Sequence, residues 1–306
     1  MANINTGAVA AGADNIVLAV FAIVFGVFWL SLGDATIKHL STGFVLWQIF
    51  VMRSLVALPF LLLFMVIAIG GVRLMPARPG WAALRSLLLV FSWVAYYAAL
   101  PHLQLSLAAA AFYTAPIFMV LLSPVLLGDR VGRLGWVAVL IGFLGVVLIL
   151  RPEASDFNLY ALLPLVAALL YALAVILTRT HCRQEHPLTL TLAFKLAFIL
   201  VGGLGAMTAS TGAFGSEPHF LSAPWTPMGM LEWLAMLLLA GAILAGSIGA
   251  AVAYQSGPPR IIGVFDFSYV GFSALWGILI FSEVPDAASL LGLGLIIFSG
   301  VLTVRR

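Results

Sequence analysis

The sequence predicts an all-α, polytopic membrane protein with ten transmembrane helices arranged as two inverted five-helix repeats. Three observations carry that expectation. Hydrophobic residues make up 63% of the 306-residue chain and charged residues 8%, with a mean hydropathy of +1.17, whereas a soluble globule of ordinary composition is about 25% charged. Apolar runs long enough to cross a hydrocarbon core, about 20 residues each, recur along the whole chain. The chain also repeats itself.

The repeat is clearest where Phe112 to Arg151 returns as Phe267 to Arg306. In both, a long apolar span carries an aromatic near its start, ends in an acidic residue (Asp129, Glu283) and turns. A second apolar span then closes on Gly145 or Gly300 and an arginine. Earlier in the chain an offset of 142 aligns Trp29 with Tyr171, His39 with His181 and Arg53 with Lys195; later an offset of 154 aligns Tyr113 with Phe267 and Asp129 with Glu283. The difference of 12 residues falls in the Gly/Ser/Pro-rich segment Thr211 to Gly229. Residues 1–155 and 156–306 are thus expected to be two copies of one ancestral unit.

Taken in order, the spans fall at roughly 15–37, 43–69, 81–100, 104–127, 133–150, 159–178, 188–210, 232–255, 261–281 and 286–304. Short polar separators mark the turns, among them LSTG after the first span, GDRVGR after the fourth and RTHCRQEHP after the sixth. The tail Met1 to Asp14 has no basic n-region, so the first span is expected to be a retained helix and not a cleaved signal peptide. With a cytoplasmic N-terminus in a bacterial inner membrane, Arg73, Arg78, Arg130, Arg133, Arg179, Arg183, Arg260, Arg305 and Arg306 fall on the inner side, against only Lys38 and Arg151 outside. Both termini are therefore expected inside. Five spans per half, an odd number, thread the second half upside down relative to the first.

Composition excludes other classes. The net charge of +3 is not gathered into a basic stripe with interleaved aromatics, so nucleic acid is not an expected partner. The single Cys182 allows no intramolecular disulfide and completes no Cys/His metal spacing. No P-loop or H-E-x-x-H motif is present. Neither metal nor cofactor is expected; a small-molecule substrate and the lipid bilayer are, for a monomer or a homodimer.

Charges inside spans are the informative residues, because a charge at mid-bilayer costs about 3 kcal/mol or more. Arg53 lies ten residues past Gly43 and so ~15 Å deep, and Lys195 lies eight past Pro187, ~12 Å from the other face. Each either meets a substrate anion or satisfies helix carbonyls. Asp266 and Arg85 both sit within ~9 Å of the cytoplasmic surface and either pair across a cavity or leave Arg85 to snorkel to the headgroups; Asp266 is expected as a coupling residue that senses protons or the solute's positive group. Asp34 is a second coupling candidate, although an i, i+4 ion pair with Lys38 accounts for it equally well. Trp29, Trp93, Tyr96, Tyr97, Phe112, Tyr113, Tyr171, Phe265, Tyr269 and Trp276 would line a pocket for a flat or cationic solute through stacking and cation–π contact, or serve as ordinary packing. Trp81 reads as an interface anchor; His39, His102 and His181, at span ends, read as solvated.

Two five-span halves, each ending in a hairpin that runs from Pro116 through Asp129 to Gly145, or from Tyr269 through Glu283 to Gly300, resemble the EamA branch of the drug/metabolite transporter superfamily. The D-x-x-x-K run from Asp34 to Lys38, with Arg85 early in span three, is similar to the subgroup that carries S-adenosylmethionine, riboflavin or other zwitterionic metabolites. The sequence departs from internal symmetry where Val270 faces Pro116 and Leu239 faces Arg85. The resemblance implies a central cavity lined by spans one, three, four, six, eight and nine, with spans five and ten as a scaffold; those two spans are glycine-rich, and their glycines either pack within the monomer or form a dimer surface. It also implies secondary transport by alternating access, most often export of amino-acid-like metabolites, with uptake as the alternative. An integral-membrane enzyme acting on a lipid carrier would need several carboxylates, histidines or a nucleophile at one depth; the acids here are few and scattered.

Overall fold

The computed structural model describes residues 15–69, 74–126, 128, 132–150, 158–211, 219–256 and 259–304. The tail Met1 to Asp14, Arg73, Asp129, Arg130, Arg151, residues 212–218, the boundary between the expected repeats, Arg305 and Arg306 lie outside the described residues, as does the side chain of Arg260.

Among the described residues the chain is all-helical. The first half holds α1 (Ile16–Leu40), α2 (Leu46–Ile69), α3 (Pro79–Ala99), α4 (Leu105–Phe112), α5 (Ala115–Leu126) and α6 (Arg133–Leu150). The second holds α7 (Leu163–His181), α8 (Pro187–Ser210), α9 (Met230–Ser256), α10 (Pro259–Asp266), α11 (Ser268–Phe281) and α12 (Ala287–Val304). Eight segments are long and apolar enough to cross a membrane, counting α4 with α5 and α10 with α11 as one each; α6 and α12 are two shorter apolar helices. Local chemistry sets the starts. The Asn15 side chain accepts from the Leu18 amide at 3.0 Å, Pro79 and Pro187 occupy first helical positions where no N–H is needed, and Asp286 accepts from the Ser289 amide at 3.0 Å.

The expected ten spans are therefore resolved into twelve helices, because spans four and nine are each broken. Span four breaks at Tyr113 and Thr114, where Pro116 lacks an N–H and its ring would strike the carbonyl of Phe112 in a continuous helix. Span nine breaks at Phe267, the position that aligns with Tyr113, although Val270 stands there in place of the proline. The Phe267 ring seats on Gly300 instead, so tightly that a Cβ on that glycine would come within 1.8 Å of it.

The extensive helix contacts run between the two halves: α1 with α9 and α11, α2 with α8, α3 with α7, α4 with α11, and α6 with α12. Close approach needs glycine at the crossing points. A Cβ on Gly145 or on Gly292 would meet the other's carbonyl oxygen at 2.7 Å, which fixes α6 against α12, as expected of glycines that pack within the monomer; Gly294 faces open space. Outward faces carry large apolar side chains, such as Val17 at 80% exposed, as the hydrocarbon of a bilayer requires. One such face, along α1 beside Phe272, forms a purely apolar groove of about 620 Å³ open to lipid. The bundle has two ends. Lys38, Leu103, Leu105 and Glu283 mark one; Ile16, Leu126, His181 and Pro259 mark the other.

Candidate functional site

One turn below Lys38, Asp34 of α1 is buried and, among the described residues, forms no ion pair. The Tyr97 hydroxyl donates to its Oδ1 at 3.1 Å, and the Tyr269 hydroxyl donates to its Oδ2. Tyr96 stands behind, its hydroxyl 3.3 Å from that of Tyr269. Tyr97 also accepts from Arg53 Nη1 at 3.3 Å, so one hydroxyl bridges the buried carboxylate and the buried guanidinium. The Arg53 guanidinium carbon lies 4.9, 5.4 and 4.6 Å from the ring centroids of Phe50, Tyr97 and Phe198. Such contacts offset part of the cost of a desolvated cation. The Lys195 ammonium lies 6.0 Å from the same Phe198 ring, close enough for the two cations to repel.

One end of the bundle is closed above this cluster. Lys38 donates to the Leu103 carbonyl and forms an ion pair with Glu283, the one ion pair among the described residues. The other Glu283 oxygen accepts from the Leu105 amide at 2.8 Å. Leu105 opens α4, whose own preceding residue, Gln104, supplies no side-chain cap. Glu283 therefore caps α4 from α11 and meets the positive end of its dipole. The left-handed turn at Ser282, φ 58°, sends the Glu283 amide back to the Gly277 carbonyl at 3.0 Å and the carboxylate over the helix end. The expected Asp34–Lys38 pair does not form: the capping geometry brings Glu283 to Lys38, while Asp34 turns inward to its tyrosines. Residues 219–228 cover the same end. Gln48 donates to the Thr226 carbonyl at 2.6 Å and accepts from its amide at 3.0 Å, and the Trp47 indole donates to the Leu221 carbonyl at 2.9 Å.

The other half of the bundle holds a cavity of about 400 Å³ between the two broken spans. Phe112, Tyr113, Pro116, Tyr171, Asp266 and Phe267 are among its walls. The Tyr113 hydroxyl donates to the Asp266 backbone carbonyl at 3.3 Å, and its ring stacks on Tyr269 at 5.1 Å. Tyr113 and Tyr269 therefore stand between the cavity and Asp34. Arg85 does not pair with Asp266. Its Nε donates to Thr178 Oγ1 at 2.7 Å, because α3 packs on α7 and turns the side chain that way. Tyr171 lies within electrostatic reach of both Asp266 and Arg85.

Of the sequence-derived candidates, the structure brings together Asp34, Arg53, Tyr96 and Tyr269, with Trp93 stacked on Tyr97 at 5.1 Å and Lys195 across Phe198. Tyr113, Tyr171 and Asp266 form the cavity wall. Arg85 stands apart from them, and Trp276 packs between α1 and α11, where its indole donates to Ser31 Oγ at 3.1 Å and its ring meets Phe28 at 5.3 Å. Trp81 and His181, expected as an interface anchor and a solvated end, stack on each other at 3.8 Å. Sequence reasoning misses Phe50 and Phe198 as partners of Arg53. The signal is present, since Phe50 precedes Arg53 by one turn and Phe198 follows Lys195 by one turn. The role of Glu283 at Lys38 carries no such local signal. Among the described residues no three His, Cys, Asp or Glu side chains stand together to hold a metal.

Comparison with known proteins places this geometry. A family model described as the EamA-like transporter family matches residues 17–151. The chain is 26% identical to a pseudopaline exporter of Pseudomonas aeruginosa over 96% of this chain and 98% of that protein. It is 30% identical to a riboflavin transporter of Vibrio cholerae over 72% and 70% of the two, and 26% identical to an S-adenosylmethionine uptake transporter of Rickettsia bellii over 92% and 94%. One solved crystal structure, 19% identical, superposes with a TM-score of 0.61 over 94% of this chain and 96% of that one, a likeness of fold.

Proposed function

The chain belongs to the EamA-like transporter family, and from that premise we propose that it exports an amino-acid-like, zwitterionic or aromatic metabolite across a bacterial inner membrane by alternating access. That it is a small-metabolite transporter and not an enzyme follows from the family and from the names of its relatives. The observation that carries the mechanism is the contrast between a ring-lined cavity in one half of the bundle and a bonded, ion-paired closure at the opposite end. Two spans broken at aligned positions, Tyr113 and Phe267, border that cavity, as the discontinuous helices of secondary transporters do. Residues 1–155 and 156–306 act as inverted repeats, and rocking one against the other would open the Lys38 end while closing the cavity.

On this reading the cavity faces the cytoplasm, the side to which the arginine distribution assigns both termini. Asp34 and Asp266 are the coupling acids, with protons as the coupling ion. Export is supported by the pseudopaline exporter, aligned over 96% and 98% of the two chains; uptake is the second reading, supported by the riboflavin carrier and by the S-adenosylmethionine carrier, aligned over 92% and 94%. Purified protein in otherwise protein-free liposomes should move solute in counterflow, with the fastest phase when solute is loaded on the Asp266 side. Absence of flux for every metabolite that raises the thermal stability of the protein would remove the transport reading. A reporter fused after Arg306 and one inserted in residues 212–218 should report opposite sides of the membrane; the same side for both contradicts the inverted repeat.

A further inference from the structure

The geometry points to a carboxylate subsite on one edge of the Arg53 guanidinium, and we propose that the transported solute carries a carboxylate that binds there. The inference rests on the transport reading and specifies the chemistry of its substrate.

Arg53 is 4% exposed. Its faces are covered by the rings of Phe50, Tyr97 and Phe198, and its Nη1 is occupied by the Tyr97 hydroxyl. The two remaining nitrogens, Nε and Nη2, are buried and have no hydrogen-bond partner among the described residues. Those two are not an arbitrary pair. Their N–H bonds run parallel along one side of the planar group, at the spacing of the two oxygens of a carboxylate. A guanidinium whose faces are stacked and whose side-on edge is vacant is therefore preorganised for a bidentate planar anion.

The protein does not fill that edge itself. The nearest acid, Asp34, is held by Tyr97 and Tyr269, and Glu283, the ion-paired acid among the described residues, is committed to Lys38. Lys195, on the far side of Phe198, is 3% exposed, with its ammonium 6.0 Å from that ring. Two buried cations thus face one buried carboxylate. A buried polar group left without its partner is costly, so a solute carboxylate supplies both the missing acceptors and the missing charge. Its route is laid out by the rings: from the cavity past Tyr113, which stacks on Tyr269, to Asp34, Tyr97 and Arg53. The Tyr113–Tyr269 stack has to part for the carboxylate to arrive, which couples binding to movement of the two broken spans.

The test uses the full-length protein and matched probes: the proteinogenic amino acids and S-adenosylmethionine, each beside its own decarboxylated amine, with riboflavin as a solute lacking a carboxylate. Binding is read by thermal shift and transport by counterflow in liposomes. The wild type should bind at least one carboxylate about ten- to a hundredfold more tightly than its amine, the scale of a charge-assisted hydrogen-bonded contact. Arg53→Gln should bring that ratio below about twofold by the same measure, and Arg53→Lys should leave an intermediate ratio because charge remains without the fork. Melting curves without solute separate loss of the subsite from loss of the fold, and Arg53→Lys carries the test where Arg53→Gln does not fold. Equal affinity for carboxylate and amine, a preference that survives Arg53→Gln, or no binding by any carboxylate of the set overturns the assignment. A preference that depends on Arg53 without any flux retains the subsite and sinks transport instead.

Discussion

At the Lys38 end, Glu283 joins α1, α4 and α11 through an ion pair and an amide cap, and Gln48 straps residues 219–228 to α2. At the Asp266 end, Asp266 lines a cavity of about 400 Å³ and Arg85 stands apart on Thr178, with no ionic partner for either among the described residues. On the proposed inverted-repeat reading the helices at both ends are counterparts, and the difference between the ends lies in where charges are placed. Closure here is therefore local and polar. It depends on a few side chains that can exchange partners, while the glycine-lined contacts of α6 with α12 persist.

The largest effect is expected between the two ends. Arg53→Ala removes the only hydrogen-bond donor that Tyr97 receives from α2 and the cation beside Asp34, and transport in liposomes should fall to background; Arg53→Lys should retain part of it. Wild-type flux in Arg53→Ala would make the guanidinium a packing residue. Next comes the closed end itself. Glu283→Gln leaves the buried Lys38 without its anion, a loss of roughly 3 kcal/mol for a buried pair stripped of one partner, which shifts a two-state equilibrium on the order of a hundredfold toward the opened form. The check is protease or thiol-reagent access to the Lys38 end; unchanged access would show that the pair is not the lock.

A smaller change sharpens the contrast at the open end. Asp266→Asn should flatten the pH dependence of flux and slow it several-fold, read against protein-matched wild type. A double-mutant cycle with Arg85→Ala should be non-additive, because Tyr171 links the two electrostatically and a direct pair would form only in the opposite state. Strict additivity would confine Arg85 to its bond with Thr178. Smallest of all, Gln48→Ala removes its bonds to Thr226 and should cost about 1 to 3 kcal/mol of thermal stability, with transport lowered less than by Glu283→Gln. A larger transport defect than that would move the closure from the ion pair to the strap.

Much of this architecture is legible in the sequence, for physical reasons that apply residue by residue. Span positions follow from apolar length, which is why α6 begins at Arg133 and α8 at Pro187, within a residue of expectation. Arg53 stands out because a charge in hydrocarbon is costly and has to be matched by a substrate or by the protein's own polar groups. The break at Pro116 is readable from its missing N–H, but the matching break at Phe267 is not, since Val270 gives no local sign and the fit of Phe267 on Gly300 is a contact between residues far apart in sequence. Helical spacing assigns Lys38 to Asp34; only the turn at Ser282 brings Glu283, 245 residues away, to the same ammonium group. Helical spacing likewise does not reveal that Arg85 faces Thr178, because that depends on how α3 rotates against α7.

The claim that one end is locked by Lys38 and Glu283 while the other is open is tested most directly by paired cysteine access. In a Cys182→Ser background, Val120→Cys lies on the cavity wall and Ala108→Cys is fully buried beneath the closed end. A membrane-impermeant thiol reagent should label Val120→Cys from the Asp266 side and Ala108→Cys from neither side. Adding Glu283→Gln should expose Ala108→Cys from the Lys38 side and slow labelling of Val120→Cys. Labelling of both positions that ignores Glu283→Gln, or of both from a single side, would rule out a lock at Lys38 and Glu283.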